Sequence, residues 1–139
     1  MELETTLSKI PKKLKQAANL VYLSLLVGLI KSVMYETMTT QKMLSDPKSL
    51  SIGVFTILII GFFGYMIGKG KNWARITLLV FFIIGMIAYP FSVLIEFQTN
   101  SIIAIVSIVQ MLIQLYVLII LFSGEPKKWF KEKKVHDAK

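Results

Sequence analysis

The sequence contains no cysteine, which excludes disulfides, thiolate metal ligands and cysteine nucleophiles together and leaves the redox compartment open. Its one histidine, His136, sits in a charged tail, so no His–Ser or Cys–His pairing is available for nucleophilic catalysis. Charge is scarce: 17% of residues are charged, where a soluble domain carries roughly 25%. No cluster of Asp, Glu or His falls within an apolar run, so neither a metal site nor a cofactor is expected. A Gly-rich phosphate loop following a strand is also missing. Together these absences argue against an enzyme.

What is present is apolar. Hydrophobic residues make up 55% of the 139, gathered into four runs of about the 20 residues needed to cross a bilayer. The runs cover about 17–35, 49–68, 73–97 and 101–122. Each is uniformly apolar rather than striped, and none alternates as a barrel strand would. The expected fold is an all-α polytopic membrane protein, a bundle of four transmembrane helices over residues 17–123. A basic arm (1–16) precedes it and a basic cytoplasmic or interfacial tail (124–139) follows. Lys9, Lys12, Lys13 and Lys15 ahead of the first run imitate a signal peptide. No small-x-small cleavage site follows, so an uncleaved first helix is expected.

The charge pattern gives an orientation. Thirteen Lys and Arg lie in the arm, the loop between the second and third runs, and the tail; only Lys31, Lys42 and Lys48 lie on the other side. By the positive-inside rule both termini face the cytoplasm of a cell with an anionic inner leaflet. The net charge of +8 therefore points to lipid headgroups and not to nucleic acid, for which no basic face with interleaved aromatics exists. Two turns share the pattern G-x-x-K-x-W: Gly68, Lys71 and Trp73 after the second run, and Gly124, Lys127 and Trp129 after the fourth. The repetition suggests two tandem helical hairpins, or independent selection of a helix stop, a phosphate contact and a headgroup-level Trp. Trp73, Arg75, Lys127, Lys128, Trp129 and Lys131 are the expected interfacial anchors, with Trp129 and Phe130 holding the tail against the membrane.

Around Gly70-Lys71-Asn72-Trp73-Ala74-Arg75 and the Trp129-Phe130 pair, the chain resembles a group of small uncharacterised bacterial inner-membrane proteins. These have four spans, a basic G-x-N-W-A-R turn before the third, and a Trp-Phe pair after the fourth. The resemblance runs from the second span to the tail and implies a multi-pass bacterial inner-membrane protein, with no activity attached.

Polar residues inside the runs are the natural place to seek function. Lys31, roughly 22 Å along the first helix at 1.5 Å per residue, can snorkel outward. It can pair with Glu96 at the end of the third run or with Glu36, or Lys31 and Glu96 can be two independent interfacial side chains. Ser107, Gln110 and Gln114 recur at i, i+3, i+7 on one face of the fourth helix, as structural glue or as a permeation path. Gly53, Gly61, Gly64 and Gly68 on the second helix, and Gly28 with Ser24 on the first, are small-residue contacts expected between these two helices or across a dimer. Pro90 removes a helical bond to Met86 and predicts a kink.

Compact four-helix proton-coupled exporters have this size but depend on a carboxylate in the first span, and residues 17–35 have none. The first expectation is a non-enzymatic protein acting through helix–helix contacts: accessory, scaffold, immunity or stress-type. Its partner would be another membrane protein or a second copy. The alternative is a small oligomeric channel or transporter with a polar path near Glu96, Gln110 and Gln114, which requires a wet cavity.

Overall fold

The computed structural model describes residues 9–40, 42 and 44–139. Among them the secondary structure is entirely helical: α1 (Lys12–Met38), α2 (Pro47–Gly68), α3 (Asn72–Thr99), α4 (Ser101–Phe122) and α5 (Gly124–Asp137). The first four are each long and apolar enough to cross a membrane. The chain is therefore a multi-pass membrane protein, an antiparallel four-helix bundle in which α1 begins and α4 ends at the same end, the terminal end.

Local chemistry sets the helix ends. At the start of α2 the Asp46 carboxylate accepts the Ser49 N–H at 2.8 Å, and Pro47 fills the first helical position, where a missing N–H costs nothing. The Ser49 hydroxyl and N–H hold Asp46 below the ordinary carboxylate range. At the end of α2, Lys71 N–H donates to Met66 O (3.0 Å) and Gly70 N–H to Ile67 O (2.8 Å). With Gly70 at φ +70°, this is a Schellman closure. Asn100 alone joins α3 to α4. Its N–H donates to Glu96 O at 2.7 Å while its side chain accepts the Ile102 N–H at 2.9 Å. α3 remains helical through Pro90, which has no N–H to offer the Met86 carbonyl.

The helices form a ring in the order α2–α1–α4–α3. α1 packs most extensively on α4 and next on α2, whereas α2 and α3 touch least of the ring neighbours. The main core lies toward the terminal end, built from Leu14, Ala17, Val21, Ile67, Val117 and Leu121 with their neighbours. There the α2–α3 seam is closed by aromatic rings: Phe63 meets Trp73 at 5.8 Å and Phe81 at 5.7 Å. α3 is otherwise peripheral, with only Ala74 and Glu96 buried.

Residues 124–137, expected as a tail lying on lipid, form α5, which docks on the bundle. Trp129 and Phe130 are 6% and 3% exposed, so they sit in protein contacts. Trp129 occupies the notch left by Gly70, where a Cβ would come within 2.4 Å of the indole. Lys133 covers its ring at 4.8 Å. The Arg75 guanidinium, expected as an interfacial anchor, lies between the rings of Phe130 (4.2 Å) and Phe122 (4.8 Å) and donates to Leu121 O at 3.1 Å. The two G-x-x-K-x-W turns are thus not equivalent. Trp73 stands at the second position of α3, facing outward, and Trp129 lies mid-α5, buried. The second turn closes against the first. Lys127, Lys128 and Lys131 face outward.

Candidate functional site

Beyond the closed terminal core the four helices part around a cavity of about 510 Å³. That volume falls within the range typical of ligand pockets, about 300–1,000 Å³. Its walls are largely apolar, with Phe55, Ile59, Phe81, Phe82, Met86 and Met111 prominent, and Ser24, Lys31, Tyr89, Ser107, Gln110 and Gln114 supply the polar lining.

The polar residues form a ladder from mid-bundle toward the end opposite the termini. At its inner end Ser24 joins α1 to α4 twice: its hydroxyl accepts from the Gln114 amide at 3.1 Å, and its carbonyl accepts from the Gln110 amide at 3.3 Å. Gly28 makes room for this, because a Cβ there would lie 3.1 Å from Gln110 Nε2. The device expected to join the first and second helices therefore serves α1 and α4. One turn further along α4 from Gln110, Ser107 is buried, with its Oγ unpartnered. Across the cavity the Tyr89 hydroxyl is likewise buried without a partner. Lys31 marks the far end, paired with Glu96 at 2.6 Å, the two side chains 23% and 7% exposed. Tyr35 lies beside the pair, its ring 5.8 Å from the Lys31 ammonium.

Of the two partners open to Lys31 in the sequence, the fold selects Glu96. Glu36 turns to the α1–α2 loop, where it accepts the Leu44 N–H at 3.0 Å and the Ser45 hydroxyl. The glycines of α2 divide as well. Gly61, Gly64 and Gly68 face α1, with Leu25, Val21 and Ala18 within 3.8, 3.2 and 3.6 Å of the added Cβ. Gly53, expected in the same contact, has nothing within 4 Å. It lies near the far end of α2, beyond the point where α1 and α2 hold together.

The seam between α2 and α3 is the cavity's opening. Phe55 and Met86 line it yet are 65% and 40% exposed, and Gly85, also on the lining, has empty space where a side chain would stand. Tyr89, Gly85 and Gly70 carry no charge, and the Tyr89 hydroxyl is a weak polar signal among the five tyrosines of the chain. Only the i, i+4 placement of Gly85 and Tyr89 on one face of α3 could have marked the first two as a pair. Among the described residues no three His, Cys, Asp or Glu side chains gather as a metal site. No family model, curated protein or solved structure matches the chain.

Proposed function

We propose that this is a non-enzymatic, cofactor-free protein of the bacterial inner membrane, with both termini cytoplasmic, that binds or carries a small amphiphilic molecule in its intramembrane cavity. The single observation that carries the reading is the cavity itself: a space of about 510 Å³ between four helices, reached by a ladder of polar groups. The orientation rests on the thirteen-to-three division of basic residues, which puts Lys31 and Glu96 in the outer half of the bilayer. Native mass spectrometry of the protein released from lipid nanodiscs tests the reading. A bound small-molecule adduct is expected, and it disappears in Gly85→Phe, which fills the cavity. Bare protein under all lipid compositions would overturn it. Reporter fusions test the orientation: a periplasm-only reporter active at the C-terminus would refute it.

A second reading, an accessory or scaffold subunit acting by helix contacts with another membrane protein or a second copy, draws support from α3. None of the residues in its most apolar stretch is buried within the chain. This reading expects Gly61, Gly64, Gln110 and Gln114 to pack against helices, as they do against α1, but it also expects no polar-lined cavity between the helices, and one is present. Co-purification of a stoichiometric partner after gentle extraction, abolished by bulky substitutions on the outward face of α3, would favour it.

A further inference from the structure

We propose that the cavity accepts a neutral-headed, single-chain amphiphile, of the class of fatty alcohols and monoacyl esters, and that this molecule enters sideways from the outer half of the bilayer between α2 and α3. The proposal rests on the membrane-embedded binding reading above and on the orientation given there.

Three features select the head. Ser107, 4% exposed, and the buried Tyr89 hydroxyl both line the cavity without hydrogen-bond partners. In hydrocarbon such orphaned groups are costly, and a ligand hydroxyl, able to donate and accept, satisfies either. Gln110 and Gln114 line the same space, but one amide hydrogen bond of each is already spent on Ser24. Finally, the one charged side chain on the lining, Lys31, is neutralised by Glu96 at 2.6 Å. A carboxylate head would have to displace Glu96 and an ammonium head would meet Lys31, each leaving a charge unpaired in a medium that penalises it.

Two features select the route. The ring contacts that close the α2–α3 seam lie toward the terminal end, where Phe62 and Phe63 meet Trp73 and Phe63 meets Phe81. Beyond it Phe55 and Met86 line the cavity while facing out of the bundle, and Gly85, also on the lining, has nothing within 4 Å of its Cβ position. The opening therefore faces lipid, and the apolar walls suit the chain of a molecule already dissolved there.

The test compares three diazirine-bearing probes of equal chain length, a hexadecyl alcohol, acid and amine, offered to the protein in phosphatidylcholine nanodiscs, with adducts mapped by mass spectrometry. The alcohol is expected to label cavity-lining peptides about tenfold more than either charged probe. Gly85→Phe abolishes that labelling while Gly85→Ala, a control for folding, retains it. Ser107→Ala combined with Tyr89→Phe erases the preference for the alcohol. Because the chain has no cysteine, a bismaleimide joining Phe55→Cys to Met86→Cys staples the seam alone and is expected to slow loading about tenfold. Equal labelling by the acid or amine, blocked by Gly85→Phe, would overturn the choice of head but leave the cavity reading intact. Unchanged loading of the stapled protein would overturn the route. Labelling confined to the outward face of α3 would overturn both the proposal and the binding reading.

Discussion

Replacing Gly70 with alanine imposes two separable costs. The first is conformational: Gly70 has φ +70°, and an L-residue in the left-handed region costs roughly 1–2 kcal/mol. The second is steric. The new methyl would stand 2.4 Å from Cη2 and 2.9 Å from Cζ3 of Trp129, so the indole must leave its notch. Removing a buried Trp costs roughly 3–5 kcal/mol, and displacement forfeits a share of it. Gly124→Ala is the internal control. Its φ is also positive, +55°, but the nearest atom is the flexible end of Lys13 at 3.9 Å, so only the conformational cost of roughly 1–2 kcal/mol applies. In a Trp73→Phe background, where Trp129 is the one indole left, Gly70→Ala should shift emission to the red, raise acrylamide quenching and lower Tm more than Gly124→Ala does. Blue emission with equal Tm losses in the two variants would refute the notch and, with it, the docking of α5.

Other expectations follow from the same geometry. Lys31→Met leaves a buried Glu96 unpaired and should cost roughly 3–5 kcal/mol, most of it recovered by adding Glu96→Gln; denaturation in detergent of both variants checks this. Gly64→Ala puts a methyl 3.2 Å from Val21 and 3.3 Å from Tyr22 and should cost roughly 1–3 kcal/mol, whereas Gly53→Ala, in open space, should change Tm little. Gln114→Leu removes one interhelical hydrogen bond, worth about 0.6 kcal/mol, so it should leave the fold intact. Asp46, held low by Ser49, caps α2 as a carboxylate. That contribution is present above the ordinary carboxylate pKa and lost as pH falls through the lowered folded value. Amide exchange at Ser49 should therefore accelerate only in acid, and at all pH values in Asp46→Ala.

The spans were readable in advance because a bilayer demands about 20 apolar residues, and a one-dimensional pattern reports that demand directly. The helices begin and end within a few residues of the apolar runs, at Pro47 and Asn100 by recognisable caps. The docking of helix α5 was not readable: its lysines make it look like a tail lying on lipid headgroups, and its docking depends on a notch that Gly70 creates elsewhere in the chain. The candidate site was half legible. Gln110 and Gln114 announced themselves as polar residues in an apolar run, but Tyr89 and Gly85 did not.

The sequence by itself determined that four helices cross a membrane, and its basic residues carry the argument for which way round. Tertiary structure alone decided that Lys31 meets Glu96 and not Glu36, that Gly28 serves α4 while Gly64 serves α1, and that α2 and α3 part around a cavity. The reason is physical. Hydropathy reports each residue's choice between lipid and water, whereas the choice among neighbouring helices turns on shape and hydrogen bonding at contacts a few ångströms wide, between residues far apart in the chain.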